Sequence, residues 1–254
     1  QRIVLQREMA RLRQSNEDPK RLALLEKQYR YPGNETCAGD GLCSMSCPMG
    51  INTGDLTHVI RQEALPQGSF GYKAGDFVAN HFAGIKNSLR PVLSLANLGH
   101  SILGTKAMSG ITKGMHNVLG IPLWTPAMPK AYQVNLHNLQ KVKEQPLKVV
   151  YFPSCINQTM GLPKESPVDQ PLVDKMMSLL QKAGYEVIFP KNMDKLCCGT
   201  IWESKGMLDI ADRKSAELEA ALWEASEQGK YPVLCDQSPC LHRMRECIKK
   251  MKLY

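Results

Sequence analysis

Three short apolar runs alternate with amphipathic helical patterns in the C-terminal part of the chain, and this alternation most limits the possible folds. The runs are KVVYFP at 148–153, YEVIFP at 185–190 and YPVLCD at 231–236. Between them, apolar residues recur at helical spacing over 170–184 and 204–229, and each pattern ends in glycine. Strand, helix, strand, helix, strand is the βαβ pattern, which predicts a doubly wound parallel sheet.

Five cysteines follow the ends of the predicted strands. They are Cys155 after the first strand, Cys197 and Cys198 after the second, Cys235 at the end of the third, and Cys240 in the next turn. Because the carboxyl ends of parallel strands meet at one edge of a sheet, we expect these side chains to converge. The tendency of free cysteine to be buried explains one or two such positions, not five. The sequence therefore predicts a thiolate metal centre, whereas Cys247 is predicted to be a core residue.

The residues around these cysteines favour thiolates and close backbone approach. In DQSPC, Ser238 is predicted to cap the last helix, with Pro239 at its first position. Cys240 would then lie in the first turn, where the free N–H groups and the helix dipole favour a thiolate. Gly199, directly after the cysteine pair, permits a tight turn close to a bound group.

The order C-x41-C-C-G-x35-C-x4-C, with SKG at 204–206 and DQSPC, resembles the cysteine-rich CCG domain. That domain occurs in heterodisulfide reductase subunits, anaerobic glycerol-3-phosphate dehydrogenase subunits and FAD-linked D-lactate and glycolate-type dehydrogenases. The resemblance implies that the five cysteines hold an iron–sulfur cluster. The last pair is spaced C-x4-C instead of the usual C-x2-C, which questions the role of Cys235 more than that of Cys240. A structural zinc on four thiolates is the alternative occupant.

A second cysteine motif lies at residues 35–50, ETCAGDGLCSMSCPMG. Cys37, Asp40, Cys43 and Cys47, followed by proline, match the bacterial ferredoxin run C-x2-C-x2-C-x3-C-P except that aspartate replaces the second cysteine. The motif predicts an iron–sulfur site with these four residues as ligands. An Asp40 oxygen would be a harder ligand than thiolate, and that iron could be lost or replaced by another metal. The alternative is that Asp40 and Gly41 form a turn without metal.

The ligand count of this motif is incomplete. In two-cluster ferredoxins the fourth cysteine of each run serves the other cluster. By that rule Cys37, Asp40 and Cys43 share one cluster, and Cys47 serves another. We expect the missing ligands to lie before residue 1.

From Gln1 through the motif, the chain resembles the segment after the FAD domain of long bacterial FAD-linked D-lactate dehydrogenases. This resemblance implies an iron–sulfur electron-transfer module that passes electrons from FADH2 to a quinone or cytochrome-type acceptor. The FAD and substrate sites would lie on an upstream domain or on a flavoprotein subunit. The alternatives are a subunit of a heterodisulfide-reductase-like complex and a zinc-binding scaffold without redox activity. The expected location is cytoplasmic or peripheral to the inner face of the cytoplasmic membrane.

The predicted fold class is α + α/β. A helical ferredoxin-like domain is expected over 1–123, a linker over 124–147 and the CCG domain over 148–254. Two helices separated by SNEDPK are expected near the N-terminus, and Asn52 or Thr53 is expected to cap another. Charged residues interrupt the apolar stretch 89–124, so no membrane-spanning helix is predicted. The stretch is expected to pack against its own domain, with a position on a membrane surface as the alternative.

Composition narrows the function classes further. The chain has nine cysteines, and its first residues are expected to form a charged helix rather than a secretory leader, which favours metal or redox chemistry over a disulfide framework. The formal net charge is +8, but the sequence contains no stripe of basic residues interleaved with aromatic residues. We therefore expect no nucleic-acid partner. The six histidines are scattered, and no catalytic residue is predicted in this chain.

Overall fold

The computed structural model describes residues 1–39, 41–119, 123–135, 147–249 and 251–254. The chain forms two compact units: Gln1–Phe77 with Gly199–Arg213, and Val78–Cys198 with Lys214–Tyr254. These units do not coincide with the domain limits expected from the sequence, at 123 and 148. Asp40 lies outside the described residues.

Ten α-helices and five strands are described. The helices are α1 (Arg2–Ser15), α2 (Pro19–Tyr29), α3 (Leu42–Ser46), α4 (Thr53–Ala64), α5 (Phe70–Asn80), α6 (Phe82–Leu119), α7 (Leu172–Lys182), α8 (Thr200–Glu203), α9 (Leu208–Ala225) and α10 (Ser238–Cys247). The strands are β1 (Pro129–Ala131), β2 (Leu147–Phe152), β3 (Met160–Pro163), β4 (Tyr185–Ile188) and β5 (Val233–Cys235). The protein is thus a mixture of helix and sheet, as the sequence predicts.

Helix starts in the first unit follow local capping chemistry. The Asp18 side chain accepts a hydrogen bond from the Arg21 N–H at the start of α2, with proline at the first helical position. The Asn52 side chain accepts from the Gly54 N–H at 2.8 Å and starts α4. The predicted break between the first two helices and the predicted cap at Asn52 are both confirmed.

The second unit contains a three-stranded parallel sheet in the order β4-β2-β5. Residues Val149 and Tyr151 pack against α7, and Val150 and Phe152 pack with the Lys214–Ala225 part of α9 and with α10. Because neighbouring residues of β2 point to opposite faces, helices cover both sides of the sheet. β1 and β3 form a separate antiparallel pair. β1 lies within the expected linker, and 136–146 of that range fall outside the described residues.

Helix α6 differs from the expected packing. Gly104 has φ 74 and ψ 171, which interrupts the helix. Buried side chains lie along one face, at Phe82, Lys86, Leu93 and His100. Large apolar side chains are nevertheless exposed along the rest of its first segment: Leu89, Val92, Leu95, Leu98, Ile102 and Leu103. Packing on its own domain therefore accounts for only part of this helix. None of the helices in the described part of the chain combines the length and the apolar character that a membrane span needs.

Candidate metal centre

The carboxyl ends of β2 and β5 create the main candidate site, in the second unit. After β2 the chain continues through loop 153–159 towards α7 on one face, and after β5 it enters α10 on the other face. Adjacent strands whose connections leave to opposite faces form a crevice at their carboxyl ends. The loop carries Cys155, and the end of β5 carries Cys235.

The five thiols predicted from the sequence contact one another in a row. Cys197 lies in hydrogen-bond contact with both Cys155 and Cys198, and Cys240 does so with both Cys198 and Cys235. The middle pair is almost fully buried, with Cys197 2% and Cys198 3% exposed. Residues from three strand ends, up to 85 positions apart, are thus brought to one place.

These contacts shift the acidity of the thiols in opposite directions. The pKa of Cys155 is lowered, chiefly because its sulfur accepts a hydrogen bond from Cys197. The pKa of Cys197 is raised, because it hydrogen-bonds to its neighbours and is buried. The pKa of Cys240 is raised for the same reasons, through Cys198 and Cys235. Binding of a metal by these sulfurs would release protons, since thiolates are the ligands.

Asp236 ties the two strand ends together. Its Oδ2 accepts a hydrogen bond from the Tyr151 hydroxyl at 2.9 Å, and its Oδ1 accepts from the Ser154 N–H at 2.8 Å. Burial, followed by the charge of Asp236, raises the pKa of Tyr151, so the phenol stays protonated and donates. Asp236 directly follows Cys235, and Ser154 directly precedes Cys155. One carboxylate therefore fixes the spacing of two predicted ligands.

Further hydrogen bonds hold the backbone at Cys155 and at Cys198. The Thr159 hydroxyl donates to the Cys155 carbonyl at 2.8 Å, and the Ser215 hydroxyl donates to the Cys198 carbonyl at 2.8 Å. Arg243 Nε donates to the Ser215 hydroxyl oxygen at 3.3 Å. Sequence reasoning did not identify these groups, although Asp236 stands inside the motif that it used.

Cys240 lies in the first turn of α10, as predicted, but the predicted cap is wrong by one residue. The helix begins at Ser238, and Gln237 is the N-cap residue, with an extended backbone at φ −131 and ψ 122. Pro239 accordingly occupies the second position. The position of the thiol near free N–H groups is unaffected.

The donor set fits a group that is bound by thiolates. Five cysteine sulfurs without a hard donor among them would suit an iron–sulfur cluster or zinc. The Nδ2 atom of Asn157, two residues after Cys155, is buried without a hydrogen-bond partner in the described structure. A free N–H donor near the site is suited to the sulfur atoms of a cluster, whose potential depends on such bonds.

The described residues contain no group of three or more Cys, His, Asp or Glu set for a single metal ion. The sulfur contacts are pairwise along the row, whereas a multi-iron cluster requires its ligands to be spread around it.

The ferredoxin-type motif, in the first unit, is arranged differently. Cys43 Sγ accepts from the N–H and contacts the hydroxyl of Thr53, each at 3.2 Å, and these bonds lower the pKa of Cys43. The Arg61 guanidinium donates to the carbonyls of Asn34, Cys37 and Ser204. Cys37 and Cys47 are half-buried and Cys43 is exposed. Within the described part of this motif, which excludes Asp40, the three cysteines are not gathered as a metal-binding group.

Comparison of the chain with protein-family models, curated proteins and solved structures finds no match.

Proposed function

We propose that this chain is the iron–sulfur electron-transfer module of a flavin-dependent D-2-hydroxyacid dehydrogenase, with D-lactate as the substrate. The row of five contacting thiols at the carboxyl ends of parallel strands carries this proposal. Under this proposal, the second unit contains a doubly wound CCG domain, and the ferredoxin-type motif belongs to a helical domain. Electrons would leave to a quinone or a cytochrome-type acceptor.

The reaction is divided between two parts of the enzyme. A flavin domain outside this chain would hold the FAD, which would supply the acceptor for the hydride of the hydroxy acid, while the hydroxyl proton would leave to give the 2-oxo acid. When bound, an iron–sulfur cluster accepts electrons one at a time, which connects a two-electron donor to a one-electron acceptor or a quinone. The residues of this chain hold the ligand loops in place through Asp236, Thr159 and Ser215. Burial of Cys197 and Cys198 keeps water from the ligands.

Two alternatives use the same thiols. Zinc on four of the five would make the second unit a scaffold without redox activity. A subunit of a heterodisulfide-reductase-like complex would carry the cluster but receive its electrons from a flavin on another chain. The reading frame upstream of Gln1 separates the last alternative from the fused dehydrogenase, because only the latter places an FAD domain there.

Metal analysis tests the proposal directly. After anaerobic purification we expect iron and acid-labile sulfide in comparable amounts, bound at the five-cysteine centre. We expect little iron at the ferredoxin-type motif of the isolated chain, because Cys37, Cys43 and Cys47 are too few thiolates for its clusters. Zinc without sulfide would refute the electron-transfer proposal. A stoichiometric four-iron spectrum that survives removal of Cys197 would refute the expectation for the first motif.

We also propose that the chain associates peripherally with an anionic membrane through α6. Support comes from the exposed side chains of Leu95 and Ile102, 70% and 73% exposed, in a segment that has no Asp or Glu over 82–119. An apolar helix face lying in the interface gains burial, and each nearby lysine adds about 1 kcal/mol at an anionic surface.

We expect the chain to co-sediment with phosphatidylserine-containing vesicles. Leu95→Glu together with Ile102→Glu should weaken this binding at least about tenfold, because the helix centre would then carry two charges into the apolar layer. Leu179→Glu on α7, whose side chain is 59% exposed, is the matched control and should bind like the wild type. Equal binding of both variants would contradict a role for α6.

A further inference from the structure

Lys86 is a buried ammonium in the second unit. Its side chain lies on the inner face of α6, and the residue is only 3% exposed. Its Nζ donates a hydrogen bond to Gln158 Oε1 at 2.7 Å and lies 5.9 Å from the centre of the Phe82 ring. Burial lowers the pKa of Lys86 to about 8. A charge placed in the interior at such a cost requires a compensating negative charge nearby.

Gln158 connects this ammonium to the loop of the metal centre. The Gln158 amide nitrogen Nε2 donates to the Pro153 carbonyl at 2.7 Å, and the Gln158 backbone N–H donates to the Ser154 carbonyl at 2.9 Å. Cys155 lies between these anchors and Gln158 in the chain. The Gln158 side chain thus holds the Lys86 ammonium against the loop that carries Cys155, the first thiol of the row.

Asp194 and two sulfur atoms of the row are the negative groups that act on this charge. Lys86 interacts electrostatically with Cys155 and, more weakly, with Cys197. The Asp194 carboxylate has the largest charge effect on Lys86, although the hydrogen bond of Lys86 Nζ goes to Gln158. The negative charge around Lys86 therefore comes from one carboxylate and from the thiols together, and its hydrogen bond to Gln158 holds it against the loop of Cys155.

We propose that Lys86 is a positioning residue that sets the reduction potential of the five-cysteine centre by acting as its buried counter-charge. This inference rests on the proposed iron–sulfur function. Reduction adds one negative charge to a centre that the thiolates already make negative. A fixed cation in a medium of low dielectric stabilises the reduced form more than the oxidised form, and so raises the potential.

Lys214 provides a comparison within the same unit. It is also buried, and its Nζ lies 5.8 Å from the centre of the same Phe82 ring. However, its Nζ forms an ion pair with Glu217 and donates to the Lys195 carbonyl at 3.2 Å. An adjacent carboxylate cancels most of its field, so Lys214 should affect the thiols much less than Lys86.

The test uses the 254-residue chain. Its iron and sulfide are measured first, and a redox titration monitored by electron paramagnetic resonance then gives the reduction potential of the centre. Lys86→Gln keeps a donor for Gln158 and removes the charge. At a fixed applied potential its ratio of reduced to oxidised centre should fall at least tenfold, which is about 59 mV for one electron. Lys86→Arg and Lys214→Gln should each stay within about threefold of the wild type, or about 30 mV.

The outcomes separate this inference from the proposed function. A Lys86→Gln protein with full iron and an unchanged potential would overturn the inference and leave the electron-transfer proposal standing. A wild-type chain without iron and sulfide would overturn both. Lys86→Met serves as a second neutral variant if Lys86→Gln fails to fold. If neither neutral variant holds iron while Lys86→Arg does, Lys86 acts in cluster retention, and the proposed control of potential is wrong.

Discussion

Replacing Cys240 with alanine is expected to remove the metal from the five-cysteine centre. Cys240 contacts both Cys198 and Cys235, so its loss divides the row of sulfurs. It also removes the thiol from the first turn of α10, where free N–H groups stabilise a thiolate. Changes to groups that only orient metal ligands cost 10–100-fold in affinity, so loss of a ligand itself should lower bound iron by more than about tenfold. Iron and sulfide analysis with the visible spectrum measures this.

Cys247→Ala is the matched control for Cys240→Ala. It lies at the end of the same helix, where it packs against the hydrophobic core of the second unit. Its removal should leave the iron content and the spectrum unchanged. If Cys240→Ala retains as much iron as Cys247→Ala, the five-cysteine assignment is wrong. Cys235→Ala tests whether Cys235, in the unusually spaced last pair, is a ligand. If this variant retains its iron, the centre has four thiolate ligands and Cys235 is not one of them.

The sequence predicts the three parallel strands well because their signals are local. Each is a short apolar run closed by proline or aspartate, and the observed strands β2, β4 and β5 fall within about two residues of the runs. The meeting of the five thiols is predictable for the same reason, since it follows from cysteines placed at strand ends. The Asn52 cap is another local signal that the structure bears out.

Other parts of the site depend on contacts that leave no local pattern. Lys86 lies 72 positions before Gln158, and nothing in its own helix distinguishes it from an exposed lysine. Arg61 contacts carbonyls 24 to 143 positions away, so its role at the first motif is equally hidden. The short strand β1 has a proline and a lysine in its three residues, so the sequence gives it the character of a linker. Such features follow from tertiary packing rather than from propensity or spacing.

Replacing Gly199 with alanine is expected to destabilise the protein strongly. Gly199 has φ 92, which alanine adopts only with strain, and it provides the N-cap of α8. A Cβ atom at this position would lie 2.4 Å from the carbonyl oxygen of Ala211, a backbone atom inside α9 that has no flexible side chain to move aside. Strain of about 1–3 kcal/mol and overpacking of about 1–3 kcal/mol should together lower the free energy of unfolding by about 2–6 kcal/mol.

Gly184→Ala separates the backbone strain from the steric overlap. Gly184 has a similar φ of 83, but among the described residues no heavy atom would lie within 4 Å of its new Cβ. It should therefore show the backbone strain alone, about 1–3 kcal/mol in urea unfolding. Equal losses in the two variants would contradict the steric role of Gly199. Because Gly199 directly follows Cys198, only the Gly199 variant should also lose iron. Such a result would identify this glycine as the residue that lets the chain turn tightly behind the paired thiols.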